Sequence, residues 1–118
     1  MNRRRKAYRR GHRGEFLAAA LLVCKGYRIL ARRWKTPYGE IDLVARRGKM
    51  MVFVEVKARP TEREALEAVT PRQRQRIAQA AGAFLQTLPD NHVFSCRFDV
   101  VAYAPPLRLM HLRDAWHM

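Results

Sequence analysis

The chain is poor in acid. Ten aspartates and glutamates stand against 24 lysines and arginines, a formal net charge of +14 over 118 residues. A polyanion is the natural partner of such a surface, and arginine, which dominates, forks well onto phosphate. Cysteine is scarce as well. Cys24 and Cys96 lie far apart in apolar patterns, which excludes a disulfide framework and a paired-cysteine metal site, and both read as small core residues. A cytoplasmic location, reducing and without disulfides, is the expectation. No stretch reaches transmembrane length, so no membrane is expected as a partner. The four histidines, His12, His92, His111 and His117, have no ligand spacing. HExxH, a glycine-rich phosphate loop and a nucleophile elbow are all missing, which removes the zinc-hydrolase, P-loop and α/β-hydrolase readings. The basic residues 1–13 followed by the apolar run Phe16 to Cys24 have the outline of a secretory signal. Glu15 opens that run, however, and no small-x-small cleavage site follows, so a signal peptide is not expected.

Apolar residues are not lacking. At 48% hydrophobic the chain supports one modest core, too small for two domains and too large for global disorder. Seven positive residues precede Glu15, and the remaining 17 against 10 acids still leave +7. The basicity is therefore not confined to a tail.

Residues 1–11 form a charge run that reads as a disordered basic arm, with a single domain over 12–118. From Arg13 to Lys25, Leu17, Ala20, Leu21 and Cys24 recur at helical spacing, and Gly26 supplies a stop. Tyr27 to Trp34 reads as a strand, and Thr36-Pro37-Tyr38-Gly39 as a turn. Glu40 to Arg46 and Met50 to Arg59 are rich in aliphatic and β-branched residues and are joined with almost no slack, so they predict a hairpin turning at Gly48-Lys49. Thr61 to Val69 is a loop or short helix. Thr70-Pro71, with Gln73 three residues on, is a capping box opening a helix. Ile77, Ala80, Ala81, Phe84 and Leu88 mark the buried face of that helix, and Pro89-Asp90-Asn91 ends it. Val93 to Tyr103, with Phe94, Cys96, Phe98 and Val100 on one face, and Leu107 to Arg113 are the last two strands. The order predicts an α/β domain with a mixed sheet flanked by helices.

The hairpin carries the chemistry. If Gly48 and Lys49 are its turn residues, Asp42 faces Glu55, and Lys57 shares the side of Glu55. Ile41, Leu43, Val52, Val54 and Val56 then form the opposite, apolar surface. Opposed carboxylates repel unless a cation lies between them. A divalent metal could serve both, polarise a phosphate and acidify a bound water, with the lysine assisting. The bland alternative is a solvated ion pair of Glu55 with Lys57 or Arg59. Against it, Met51 and Phe53 share the face of Glu55, and charge in an apolar setting is seldom kept without a partner. Asp99, alternating with Phe98 and Val100, reads as structural, paired with Arg97 or Arg59.

The blocks Gly39-Glu40-Ile41-Asp42-Leu43-Val44-Ala45 and Val52-Phe53-Val54-Glu55-Val56-Lys57-Ala58-Arg59 resemble the D…E-x-K core of the restriction-endonuclease-like superfamily. With Gly14-Glu15, Gly26-Tyr27 and Arg97-Phe98-Asp99-Val100-Val101, the chain from about residue 11 is similar to the bacterial YraN-like family. That family is in turn similar to archaeal Holliday-junction resolvases. The resemblance implies a restriction-endonuclease-like mixed sheet, with Asp42 and Glu55 binding Mg²⁺ or Mn²⁺, Lys57 assisting the water and Glu15 as an accessory acid. The reading of Glu15 from the residues alone is a first-turn acid favoured by the helix dipole. Arg13, Arg59, Arg72 and Arg76 are the candidate nucleic-acid contacts. Two positions depart from the family pattern: Arg33 precedes Trp34 where asparagine is expected, and Gln73 lies where lysine is expected.

Three functions compete. The first is a metal-dependent DNA endonuclease acting on branched or structured DNA, with a homodimer as one arrangement. The second is a non-catalytic nucleic-acid-binding protein that kept the scaffold. The third is a basic protein bound to a ribosome or protein partner. The intact Asp42, Glu55, Lys57 set favours the first, because a pure binder would gain affinity by losing two acids.

Overall fold

A computed structural model describes residues 3–89 and 94–117, with side chains from Arg13 onward. In chain order the elements are α1 (Arg3–Cys24), β1 (Arg28–Thr36), β2 (Gly39–Arg47), β3 (Met50–Lys57), α2 (Glu62–Ala68), α3 (Pro71–Leu85), β4 (Ser95–Ala104) and β5 (Arg108–Trp116). The strands form one sheet in the order β1-β2-β3-β4-β5. Only β3 and β4 run parallel, so the sheet is mixed. A parallel neighbour needs a crossover, and α2 with α3 supplies it. The expected mixed α/β architecture with flanking helices is present, and the segment that reads as loop or short helix is a helix capped by Thr61.

Both faces of the sheet are covered. On one, Ala18 and Leu22 of α1 pack with Leu43, Ala45, Val52, Val54 and Val101. On the other, Ala80, Ala81 and Phe84 of α3 pack with Ile41, Val44, Met51 and Phe53. A third cluster joins Ala65, Val69 and Ile77 to Val100, Ala102 and Trp116. Covered on both sides, β3 is buried without interruption from Met51 to Glu55, as central strands of such sheets are.

The β2–β3 register is the expected one. Leu43 pairs with Val54, Ala45 with Val52 and Arg47 with Met50, around a turn in which Gly48 has φ 61°. A primed turn needs that positive φ, which glycine adopts without steric penalty. The capping box at Thr70 is also formed, with Gln73 N–H donating to Thr70 Oγ1 at 3.2 Å and Thr70 N–H to Gln73 Oε1 at 3.3 Å. The residues expected on the buried face of α3 pack inward.

Several expectations are corrected. α1 starts at Arg3, ahead of the Arg13 start that the helical spacing gives, and Met1 and Asn2 lie outside the described residues. The buried stripe of α1 is Gly14, Ala18 and Leu22. Leu17 and Leu21 are half-buried, and Ala20 and Cys24 are exposed. Gly14 is the cause. A Cβ there would lie 3.0 Å from Tyr103 Cδ1, so the small side of the helix, not the leucine side, meets the sheet. Neither cysteine is a core residue, since Cys24 ends α1 on its outward side and Cys96, second in β4, is also exposed.

Strand alternation puts Ile41 beside Leu43, but Ile41 packs on the α3 side with Val44. Two residues three apart share a face only if the alternation breaks between them, and Asp42 is in that gap. Asp90, Asn91, His92 and Val93, expected at the end of α3 and the start of β4, lie outside the described residues.

Candidate active site

Asp42 and Glu55 meet where the hairpin ladder stops. The last β2–β3 pair is Leu43 with Val54. One residue further, Asp42 Oδ2 accepts the backbone N–H of Val56 at 2.8 Å. The strand opposite bends at the same level. Arg32 pairs with Leu43 and Trp34 with Ile41, which places Arg33 across from Asp42, and Arg33 has φ 51°. The Val56 contact holds the Asp42 carboxylate against β3, beside Glu55.

Glu55 is 7% exposed, and its Oε1 has no hydrogen-bond donor. Its carboxyl lies close enough to that of Asp42 for each to perturb the other. Two carboxylates so placed repel unless one takes up a proton or a cation lies between them. Burial is the first cause that raises both above the ordinary carboxylate range; the charge of Asp42 lifts Glu55 further, and the Val56 N–H restrains Asp42. Lys57, half-buried on the same strand, lowers both through its charge but makes no ion pair with either. The solvated ion-pair alternative for Glu55 is thereby excluded, because Glu55 is neither solvated nor salt-bridged to Lys57 or Arg59.

Glu15 enters from α1. Gly14, pressed against Tyr103, lets the helix lie close to the sheet, and Glu15 Oε2 receives Arg33 Nε at 2.6 Å. Its charge reaches Asp42 and raises it. Glu15 lies twelve residues after Arg3, the first residue of α1, so the first-turn dipole reading is overturned. The structure thus brings Glu15, Asp42, Glu55 and Lys57 to one place, with Arg33 in the same group. Arg33 could be noticed in sequence only as a departure from the family pattern.

The Glu55 carboxyl opens on a cleft of about 140 Å³ lined also by Gly39, Glu40, Gln73, Arg76 and Ile77. Arg76 is the one candidate nucleic-acid arginine that borders this cleft. Arg13, Arg59 and Arg72 are exposed elsewhere, with Arg59 donating to the Ala58 carbonyl. Gln73, a helix cap by its spacing, also faces the cleft.

The donor set suits a hard divalent cation. It is all oxygen, it holds a buried acceptor with no donor, and burial and the neighbouring carboxylate disfavour a charge that a cation would stabilise. Among the described residues no group of three or more His, Cys, Asp or Glu side chains forms a metal cluster. Asp42 and Glu55 would therefore be the carboxylate share of the ligands, which is the habit of Mg²⁺.

A second polar centre lies across the sheet. Asp99, fully buried, accepts Arg97 Nε and Nη2 at 2.8 Å each, the Asp114 backbone N–H at 2.9 Å, and a contact of 2.7 Å from His111 Nε2. Burial opposes its charge, and His111, Arg97 and the Asp114 N–H overcome it, leaving the carboxyl below its ordinary value. Lys25 Nζ stands 2.8 Å from His111 Nδ1. An ammonium donates only, so Nδ1 is the acceptor in this contact and Nε2 is left to face Asp99. Arg97 also donates to the Tyr27 hydroxyl. Asp99 is structural and pairs with Arg97, as its spacing allows. The part played by His111 has no signal in the sequence, because the two residues belong to different strands.

The chain has close relatives. A UPF0102 protein of Mesorhizobium japonicum is 54% identical over 114 residues, covering 97% of this chain and 91% of the relative. One from Chelativorans is 53% identical over 113 residues, covering 96% and 91%. One from Rhodopseudomonas palustris is 54% identical over 110 residues, covering 93% and 82%. The family model described as "Uncharacterised protein family UPF0102" matches residues 14–103, from the glycine that seats α1 to the tyrosine it rests on. The chain belongs to the UPF0102 family.

Proposed function

We propose that this protein is a metal-dependent DNA endonuclease on a restriction-endonuclease-like scaffold, hydrolysing phosphodiester bonds in branched or structured DNA in the cytoplasm. One observation carries the reading. A closely coupled carboxyl pair, half-buried Asp42 and buried Glu55, opens on a cleft bordered by Arg76 in a chain of net charge +14. Such a pair is costly to keep in a protein that only binds a polyanion.

Asp42 and Glu55 would hold Mg²⁺ or Mn²⁺. When bound, such an ion polarises the phosphate oxygens and makes its own water acidic enough to attack near neutral pH. The remaining roles belong to the chain. Val56 N–H fixes one oxygen of Asp42, so that carboxylate is oriented before any ligand arrives. Lys57, with its amine uncommitted to either acid, is placed to orient the attacking water or to meet charge developing on the phosphate. Arg76 would take a neighbouring phosphate across the cleft. Glu15, held by Arg33, would tune Asp42 as an accessory acid. A homodimer, presenting two such sites, fits a branched substrate with two equivalent strands.

The test is calorimetric titration with Mn²⁺ on wild type, Asp42→Asn and Glu55→Gln, beside a cleavage screen over duplex, single-stranded, flap and four-way DNA. Wild type should bind one ion and cleave, and both variants should do neither. Lys57→Ala should keep the ion and lose roughly a hundredfold or more in rate, as removal of one transition-state donor does. Identical titrations of wild type and Glu55→Gln would transfer the protein to the non-catalytic binders.

A further inference from the structure

Beyond the cleft at Glu55, the β1–β2 turn and α3 flank a second, open hollow of about 200 Å³, lined by Tyr38, Gln79, Gly82, Ala83 and Gln86. The two hollows are neighbours. Tyr38 borders one and Gly39 the other, and on the helix Arg76 is followed by Gln79 at the next turn. Together they make a trough from Glu55 along α3 to the tip of the hairpin.

Its lining has an unusual character for so basic a chain. Arg76, proposed above as the phosphate contact, is at the Glu55 end. The far end has no charge, only the amides of Gln79 and Gln86, an open Gly82 and a 49%-exposed tyrosine. Tyr38 is not on a loose loop. Thr36 Oγ1 accepts the N–H of Tyr38 at 3.0 Å and of Gly39 at 3.2 Å, and donates to the Gly39 carbonyl at 2.8 Å. The turn is pinned, so the ring is presented in advance. Gly82 leaves room, since a Cβ built there meets nothing within 4 Å.

A charged end, then an uncharged floor of amides beneath an aromatic ring, follows the order of groups in a nucleotide. The phosphate is held by charge, and the base by stacking and hydrogen bonds to its edge. A base inside a duplex offers neither its face nor its pairing edge. We propose that the trough between the β1–β2 turn and α3 receives one unpaired nucleotide beside the phosphate at Glu55, its base stacked on Tyr38 and contacted by Gln79 and Gln86. This rests on the nuclease reading and narrows it to substrates with single-stranded character at the cut.

The test measures binding in EDTA, so that cleavage plays no part, with a single-stranded DNA oligonucleotide and a blunt duplex of equal length. Tyr38→Ala should weaken the single strand about tenfold or more and leave the duplex within about twofold. Tyr38→Phe keeps the stacking face and should bind as wild type. Gly82→Leu starts from a Cβ that meets no atom within 4 Å, projects into the hollow and suits a helix better than glycine. It should lose single-strand affinity while its thermal transition holds or rises. Equal loss on both DNAs, or no loss on either, would overturn the proposal while leaving a DNA-binding nuclease in place. Failure of wild type to bind any DNA would remove both readings at once.

Discussion

Arg33 Nε lies 2.6 Å from Glu15 Oε2, and the arginine makes this contact from a left-handed backbone at φ 51°. Asparagine visits that region far more readily than arginine, which gives a physical reason for the asparagine expected before Trp34. The left-handed backbone costs on the order of 1 kcal/mol, and a part-exposed ion pair returns a similar amount. Arg33→Asn should therefore change stability by less than about 1 kcal/mol in urea unfolding. It should also leave the negative charge of Glu15 unopposed and move the pH midpoint of Mn²⁺ binding upward. Glu15→Gln removes that charge and should move the midpoint downward. Shifts in the same direction would show that the pair does not act through Asp42.

Metal-free stability should depend on pH in two opposite ways. Asp42 and Glu55 hold protons more tightly folded than unfolded. Their contribution is complete below about pH 4, the unfolded value, and is lost as pH rises through the raised native values. Asp99 is the reverse. Its carboxyl lies below the ordinary value, so its contribution is present above about pH 4 and lost as pH falls. Thermal midpoints should peak in mildly acid solution. In Glu55→Gln the decline toward neutral pH should flatten and the acid limb remain. A decline unchanged by the substitution would locate its cause elsewhere.

Asp99→Ala should be among the most damaging single changes. It strands the Arg97 guanidinium and the His111 N–H inside the fold, and uncovering one half of a buried pair costs about 3–5 kcal/mol. Urea midpoints of Asp99→Ala and Arg97→Lys should both fall, the lysine less, since it keeps charge but not the two-pronged contact. A loss under about 1 kcal/mol for Asp99→Ala would mean that water replaces the missing oxygens.

DNA affinity should fall steeply with salt and show little sequence preference. The sequence carries no groove-reading motif, and charge supplies the attraction. Arg76→Ala should reduce the slope of log affinity against log salt by about 0.9 if it takes one phosphate. Arg59→Ala and Arg72→Ala give the comparison for arginines away from the cleft. An unchanged slope in Arg76→Ala would remove the phosphate from that position.

The hairpin is legible in the sequence because three signals agree. A two-residue turn with glycine, period-two apolarity and a continuous aliphatic run permit only one register, and Asp42 and Glu55 fall together in it. The capping box at Thr70 is legible for the same reason, being local. What escapes the sequence is set by close packing. The buried stripe of α1 is chosen by Gly14, which has no side chain to enter a hydrophobic pattern. Ile41 changes side next to Asp42, across from the left-handed backbone of Arg33, an event with no one-residue signature. The Asp99–His111 contact joins two strands whose offset includes a bulge between Phe98 and Val100, so spacing along the chain could not place them. Asp42 and Glu55 can be named from sequence; the upward shift of both carboxyls cannot, because its first cause is how deeply the packed layers bury them.

The two acids are 13 positions apart, on a hairpin closed by two residues, whereas Glu55 and its β4 neighbour Val100 are 45 apart. Loop closure favours the near pair, and hairpins form on the order of microseconds. The acids therefore meet early, while water still surrounds them and before the crossover brings β4 into place. At neutral pH two negative charges then resist the closure that starts the sheet. Acid should consequently raise the refolding limb of a chevron more than it lowers the unfolding limb, and the Glu55→Gln variant should refold at neutral pH as the wild type does in acid. The site that gives the protein its chemistry would in that case also govern how fast each new molecule becomes a protein at all.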